Sequence, residues 1–170
     1  MPIRILDAAE ATLPQGKKRL FVKSYGCQMN VYDGLRIAEL LEPEGYSLAP
    51  TADEADLVVL NTCHIREKAD DKLFSDIGRF RRQLSKGGII AVGGCTGQAL
   101  GAKIMQQAPA VSVVFGPQTY HRLPHMLSTI TTGKQKRAID TDFPELEKFD
   151  NLPKPGAYGP TAFVTIQEGC

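Results

Sequence analysis

Two short runs of apolar residues place the strongest constraint on the fold of this chain. One covers residues 56–61 and the other covers residues 88–92, and polar or glycine residues follow each of them. Uniformly apolar runs of this length are typical of strands that are covered on both faces, as in parallel sheets. Helical periodicity follows the first run and a further helix signal follows the second, so strand and helix alternate. This alternation predicts an α/β fold built from βαβ units.

The remaining strand signals fix the size of the sheet that we expect. Weaker runs of strand-forming residues occur at three further places, residues 20–24, 46–48 and 111–115. Together with the two strong runs they predict a Rossmann- or flavodoxin-like parallel sheet of four to five strands, with helices on both faces.

Helix signals lie between these strands. Asn30 is the expected N-cap of the first helix, and the longest apolar periodicity runs from Ile65 to Leu84. A third helix is expected from about Gln98 to Gln107. Basic residues crowd the end of the longest helix, and we interpret them as a solvated helix terminus; they are Arg79, Arg81, Arg82 and Lys86.

The sequence divides into four segments. Residues 1–17 read as a leader without the features of a secretory signal, and residues 18–132 as the α/β domain. Residues 133–160 carry several prolines and no sustained period, which indicates a linker, and residues 161–170 resemble the first strand of another domain. Because no apolar stretch is long enough to span a bilayer, we expect no membrane contact. The lack of secretory features favours a cytoplasmic protein, and we expect a monomer.

Three cysteines follow three different strand signals. Cys27, Cys63 and Cys95 each lie in a short turn flanked by glycine or asparagine. The carboxyl ends of parallel strands share one edge of a sheet, so these thiols are expected to converge there. Three thiolates suit an iron-sulfur cluster or, with a fourth ligand, zinc, and the spacing does not separate the two. The alternative is that each cysteine packs as a small hydrophobic residue.

Several longer motifs carry a resemblance to a known family. The chain resembles the N-terminal domain of the radical S-adenosylmethionine tRNA methylthiotransferases, of the type that makes 2-methylthio-N6-isopentenyladenosine (the MiaB type). The matching segments are residues 24–30, 60–69, 93–95, 114–118, 143–150 and 162–170. His64, Thr96 and Gly97 depart from the residues common in that family, but the cysteines themselves are retained.

The resemblance implies a cofactor and a role for each cysteine. It implies that Cys27, Cys63 and Cys95 ligate an auxiliary [4Fe-4S] cluster whose fourth iron lacks a protein ligand. Cys170 matches the first cysteine of the C-x-x-x-C-x-x-C motif that holds a second [4Fe-4S] cluster, which binds and cleaves S-adenosylmethionine. His64 is interpreted as a helix-start or hydrogen-bonding residue rather than as a further ligand.

The resemblance also implies a substrate. The substrate is N6-isopentenyladenosine at position 37 of tRNA, next to the anticodon, and the reacting atom is C2 of its adenine. An electron donor protein is a further implied partner. The formal net charge of +1 indicates that most of the contact with tRNA phosphates lies outside this segment. The chain alone is expected to be inactive. Two alternatives stay open: a ribosomal-protein aspartate methylthiotransferase, and a stand-alone iron-sulfur or zinc module without catalysis.

Overall fold

The described part of the chain forms one parallel sheet of six strands. The computed structural model describes residues 17–64, 69–85, 87–143, 151–154 and 156. The strands are β1 (Lys18–Ser24), β2 (Tyr46–Leu48), β3 (Leu57–Thr62), β4 (Ile89–Gly94), β5 (Val111–Phe115) and β6 (Ala138–Asp140). Their order is β2-β1-β3-β4-β5-β6, and every neighbouring pair is parallel. The predicted α/β class and parallel sheet are therefore confirmed.

Among the described residues, five α-helices cover the two faces of the sheet. They are α1 (Gln28–Leu41), α2 (Ala69–Gln83), α3 (Cys95–Leu100), α4 (Ala102–Gln107) and α5 (Leu123–Thr131). Side chains of α1 and α5 share one buried cluster with Leu57 and Val59, whereas side chains of α2 and α4 share the other with Val58 and Leu60. Successive strand residues point to opposite faces, so β3 contributes to both cores.

The strand order contains one reversal, which determines where a crevice opens. The order matches the flavodoxin-like arrangement 2-1-3-4-5 with one strand added, and its switch point lies between β1 and β3. After β1 the chain enters α1 on one face, and after β3 it continues to α2 on the other. The two connections therefore separate at the carboxyl edge of this strand pair, where open α/β folds bind ligands.

The sheet is larger than the sequence predicts. The predicted range of four to five strands is wrong by one, because β6 pairs with β5 inside the segment predicted as a linker. That same segment also contacts α1 at Pro153 and Gly156. Arg36 of α1 donates to the Pro153 carbonyl, and the Gly156 N–H donates to Glu39 Oε1 at 2.6 Å. The domain therefore extends beyond residue 132.

Two helix predictions need correction. α1 begins at Gln28 with Cys27 as its N-cap residue, so Asn30 lies inside the first turn and is not the cap. The helix predicted over residues 98–107 is instead two helices. The first begins at Cys95, and Gly101 separates it from the second. The predicted start of the longest helix at Ile65, like residues 1–16 and 161–170, lies outside the described residues. No helix in the described ranges is long and apolar enough to cross a membrane.

Candidate metal centre

Cys27 lies in the turn that joins β1 to α1. The β1–β3 ladder continues one residue past β1, because the Tyr25 N–H donates to the Asn61 carbonyl at 2.8 Å. Gly26 then turns the chain with a φ of 96°, and Cys27 follows as the N-cap residue of α1. The Cys27 side chain makes no capping hydrogen bond and is half-buried. Its thiol is therefore not used to satisfy the helix terminus.

Cys63 directly follows β3 and packs against the Cys27 turn. Its side chain is buried, with 3% of the residue exposed. A Cβ on Gly26 would overlap Cys63 Cβ and would lie 2.9 Å from Cys63 Sγ. The turn after β1 can approach Cys63 this closely only because residue 26 lacks a side chain. The turn that carries Cys27 therefore packs against Cys63 at the switch point.

Cys95 directly follows β4, the next strand of the sheet. Thr62 and Gly94 are Cα partners in the β3–β4 ladder, so Cys63 and Cys95 are the next residues along two neighbouring strands. Neighbouring strands lie about 4.8 Å apart in a sheet. Gly94 has a φ of 83°, and a Cβ there would lie 2.6 Å from Asn61 Oδ1. Cys95 itself is half-buried as the first residue of α3.

Polar side chains between the turns bind the backbone. Asn30 Nδ2 donates to the Tyr25 carbonyl at 2.6 Å, and Asn61 Nδ2 donates to the Asn30 carbonyl at 2.7 Å. Thr62 Oγ1 donates to the Gly93 carbonyl at 2.6 Å. These bonds link the turns after β1, β3 and β4 to one another. Asn30, Asn61 and Thr62 therefore stabilise the loop backbone.

His64 and Thr96 both lie next to the carboxylate of Asp70. His64 is exposed, and its Nδ1 lies 3.4 Å from Asp70 Oδ1. Thr96 is buried, and its Oγ1 lies 3.1 Å from the Cys63 carbonyl oxygen and 3.3 Å from Asp70 Oδ1. The single hydroxyl proton of Thr96 serves one of these acceptors at a time. Thr96 therefore connects α3 to the backbone of Cys63.

The three cysteines are thiols at one edge of the sheet, and Cys170 lies outside the described residues. Within the described ranges, no group of three His, Cys, Asp or Glu residues is placed to hold a metal ion. A single zinc ion needs thiolate sulfurs about 2.3 Å from one centre. An iron-sulfur cluster is larger, and each cysteine binds a different iron, so its ligands stand further apart. Cysteine thiolates are the ligands that such clusters use.

Sequence reasoning missed a buried ionic group next to this edge. Asp76 of α2 is 7% exposed, and its Oδ2 accepts hydrogen bonds from Lys23 Nζ at 2.5 Å and from Tyr25 Oη at 2.6 Å. Its Oδ1 lies 2.8 Å from the Arg79 guanidinium. A signal was available, because Asp76 falls beside Ile77 on the apolar face of α2, where a carboxylate needs partners.

These contacts change the ionisation of two groups. Burial raises the pKa of the Asp76 carboxyl, but hydrogen bonds from Lys23 and Tyr25 and the charges of Lys23 and Arg79 outweigh it, so this pKa lies below its usual value. Burial and the bond to Asp76 raise the pKa of Tyr25 well above its usual value. Tyr25 is therefore a neutral donor to an ionised carboxylate.

Arg81 and Arg82 are separate from this group, whereas Lys72 Nζ of α2 lies 5.9 Å from the centre of the Tyr25 ring. Arg81 and Arg82 are exposed at the end of the helix, as the interpretation of a solvated terminus expects, whereas Lys86 lies outside the described residues. Arg79 departs from that interpretation because it pairs with Asp76.

Comparison with known proteins identifies the family. The chain belongs to the uncharacterized protein family UPF0004, which it matches over residues 19–116. The matched region contains Cys27, Cys63 and Cys95.

Similar proteins carry a more specific name. A protein from Jannaschia sp. (strain CCS1) is 56% identical over 160 residues, which are 92% of this chain and 34% of that protein. A protein from Novosphingobium aromaticivorans is 58% identical and covers 90% of this chain and 34% of its own length. Another protein, from Erythrobacter litoralis, is 58% identical, and the match covers 88% of this chain and 33% of that protein. Each is named tRNA-2-methylthio-N(6)-dimethylallyladenosine synthase, and the chain spans about a third of their length.

Proposed function

We propose that this member of the UPF0004 family holds an auxiliary [4Fe-4S] cluster through Cys27, Cys63 and Cys95. The observation that carries the proposal is their placement in the turns that follow β1, β3 and β4, three neighbouring strands of the sheet, with the switch point between β1 and β3. Cysteines that served only as small hydrophobic residues would not need to occupy the same edge of three strands. They would also not need glycines at positions 26 and 94 to bring their turns together.

The residues present fit such a cluster. Cysteine thiolates are the usual ligands of iron-sulfur clusters, and all three sulfurs are thiols. Cys27 and Cys95 are half-buried, so the edge is open to solvent on both sides of the buried Cys63. When bound, a cluster with three protein ligands supplies one iron position at which a sulfur-bearing ligand can coordinate. The role of the chain is to orient three thiolates and to shield Cys63 from water.

For the whole protein we propose the activity named for its relatives. It would be addition of a methylthio group to C2 of N6-isopentenyladenosine at position 37 of tRNA, with S-adenosylmethionine and an electron donor protein in the cytoplasm. Cys170 would be the first ligand of the second [4Fe-4S] cluster. We propose a monomer, with most of the tRNA contact made outside these 170 residues, because their net charge is only +1.

Metal counting tests the cluster directly. All samples carry Cys170→Ser, so that Cys27, Cys63 and Cys95 are the remaining cysteines. After anaerobic reconstitution we expect about four iron and four sulfide per chain, with the visible absorbance of an iron-sulfur cluster. Replacing any one of the three cysteines by serine should remove most of this iron. Equal iron in the triple serine variant would show that the cysteines are only packed.

A second experiment tests the activity of the whole protein. Replacing the Cys27 codon by serine in the native gene should abolish the methylthio group on tRNA adenosine, measured by mass spectrometry of digested tRNA. The isopentenyl precursor should accumulate instead. Unchanged tRNA with a changed ribosomal protein would favour the aspartate-modifying alternative.

A further inference from the structure

Tyr25, two residues before Cys27, is held by hydrogen bonds from three different elements. Its hydroxyl donates to Asp76 of α2 at 2.6 Å, and its backbone N–H donates to the Asn61 carbonyl of β3 at 2.8 Å. Its backbone carbonyl accepts from Asn30 of α1 at 2.6 Å. A residue fixed at its side chain, its N–H and its carbonyl has little freedom to rotate. The backbone that enters the Cys27 turn is therefore set before Gly26 is reached.

The hydrogen bond from the Tyr25 hydroxyl to Asp76 differs from the two backbone hydrogen bonds of Tyr25 in the element that it reaches. It links the Cys27 turn to α2, the helix that follows Cys63 along the chain. Lys23 and Arg79 already neutralise the Asp76 carboxylate, so charge balance alone does not require the tyrosine. The hydroxyl is a neutral donor that gives the carboxylate a directional bond into the turn.

The position of Gly26 explains why this direction matters. Gly26 follows Tyr25 and lies so close to Cys63 that a Cβ on it would be 2.9 Å from Cys63 Sγ. A small rotation at Tyr25 would therefore move Gly26 against Cys63 or open a gap beside it. Either movement changes the distance between the Cys27 and Cys63 thiols.

We propose that Asp76, acting through Tyr25, is a positioning residue that fixes the Cys27 turn relative to Cys63. This inference rests on the proposed function, because it assigns Asp76 to the support of a cluster ligand. Partners that orient metal ligands in this way contribute to metal retention although they do not touch the metal. An ordinary structural ion pair would stabilise the fold without selecting one cysteine.

The test compares Tyr25→Phe and Asp76→Asn with a matched control, Arg122→Met. The control removes a partly buried ion pair with Asp140 at the far side of the same sheet. All proteins carry Cys170→Ser and are reconstituted anaerobically with iron and sulfide. The readouts are the rate of iron release to a chelator, the alkylation rate of each cysteine in the metal-free chain, and the melting temperature.

We expect Tyr25→Phe and Asp76→Asn each to release iron about tenfold faster than the parent. In the metal-free chain, Cys27 should be alkylated faster relative to Cys95. If Asp76 acts through Tyr25, Asp76→Asn should add little in the Tyr25→Phe background. Arg122→Met should leave the iron-release rate and the Cys27 to Cys95 alkylation ratio at the parent values.

Two results would overturn the inference while leaving the proposed function intact. In one, the parent binds iron and both variants release it at the parent rate. In the other, all three cysteines become reactive in proportion to a lower melting temperature, which shows general destabilisation. If the parent takes up no iron, the proposed function fails. The alkylation ratio then decides the inference alone: an unchanged ratio overturns it, and a raised ratio supports it.

Discussion

The turns after β1, β3 and β4 and the turn after β5 lie at the same edge of one sheet but are closed differently. The turn after β5 is locked by Thr119, whose Oγ1 donates to the Asp140 carbonyl at 2.6 Å, and by the ion pair between Arg122 and Asp140. The cysteine turns are instead held together by glycines that allow close approach and by amide side chains that bind carbonyls.

This difference separates stability from ligand binding within one edge. The β5 turn is closed by its own charged and hydroxyl side chains. The cysteine turns place three thiols at one edge of the sheet, and the Cys27 side chain makes no helix-capping hydrogen bond. We infer that the half of the edge that carries the cysteines is arranged to bind a ligand. The half at β5 is arranged to stabilise the sheet.

Among substitutions that test this difference between the two halves of the edge, Gly26→Ala should have the largest effect on the free energy of unfolding. Its positive φ costs about 1–2 kcal/mol for a residue with a side chain, and overpacking against Cys63 adds about 1–3 kcal/mol. The free energy of unfolding in urea should therefore fall by about 2–5 kcal/mol, and iron uptake should fall with it.

Gly133→Ala is the matched control for that substitution. Gly133 has a φ of 73°, and a Cβ added to it would meet no atom within 4 Å, so this variant reports backbone strain without a new contact. It should lose only about 1–2 kcal/mol and keep its iron. Equal losses in the two variants would mean that Gly26 does not pack against Cys63.

The next effect is the pH dependence that Asp76 contributes. Its pKa in the folded chain is lower than in the unfolded chain, so its ionised form stabilises the fold. This contribution is fully present above the unfolded pKa of about 3.9 and is lost as pH falls through the lower folded value. Asp76→Asn should lower the free energy of unfolding by about 2 kcal/mol at neutral pH.

Acid denaturation of the two proteins checks this sign. The difference in unfolding free energy between parent and Asp76→Asn should shrink steadily as pH falls below about 4. A difference that stays constant down to the acid limit would show that Asp76 is not ionised in the folded protein.

A smaller effect is expected at the β5 half of the edge. Arg122→Met removes contacts of 3.1 Å to Asp140 and 3.7 Å to Asp142 in a partly exposed setting. It should cost at most about 1 kcal/mol of unfolding free energy, with the iron content of the reconstituted chain unchanged. Loss of iron in this variant would break the division between the two halves.

The smallest effect should come from the end of α2 that lies away from the cysteines. Arg81 and Arg82 are exposed there, and changing each to glutamine should alter the free energy of unfolding by no more than about 0.5 kcal/mol. Iron binding should not change. A marked loss of tRNA binding by the whole protein would instead assign these residues to a nucleic-acid contact.

The sequence predicted the centre of the fold better than its margins. β3 and β4 are buried at every position and begin with four apolar residues each, because both faces are covered, and this left a clear pattern. β6 has three residues and an exposed Ile139, so it carries no apolar run, and its place follows from backbone pairing with β5. Such pairing leaves no periodic signal in a strand this short.

The candidate site shows the same contrast. The cysteine positions could be predicted because each follows a recognisable strand. The role of Asn30 could not, since its amide binds the Tyr25 carbonyl inside the first turn of α1 rather than capping it. Asp76 depends on Lys23 and Tyr25, which are more than fifty residues away in sequence. Long-range polar contacts of this kind appear only once the fold is known.

Anomalous diffraction at the iron edge, from crystals of the anaerobically reconstituted chain, tests the central claim most directly. The account predicts one compact iron site at the carboxyl edge of β1, β3 and β4, in bonding contact with Cys27, Cys63 and Cys95 Sγ. Iron bound elsewhere, or bound at this edge with any one of the three sulfurs out of reach, would contradict it.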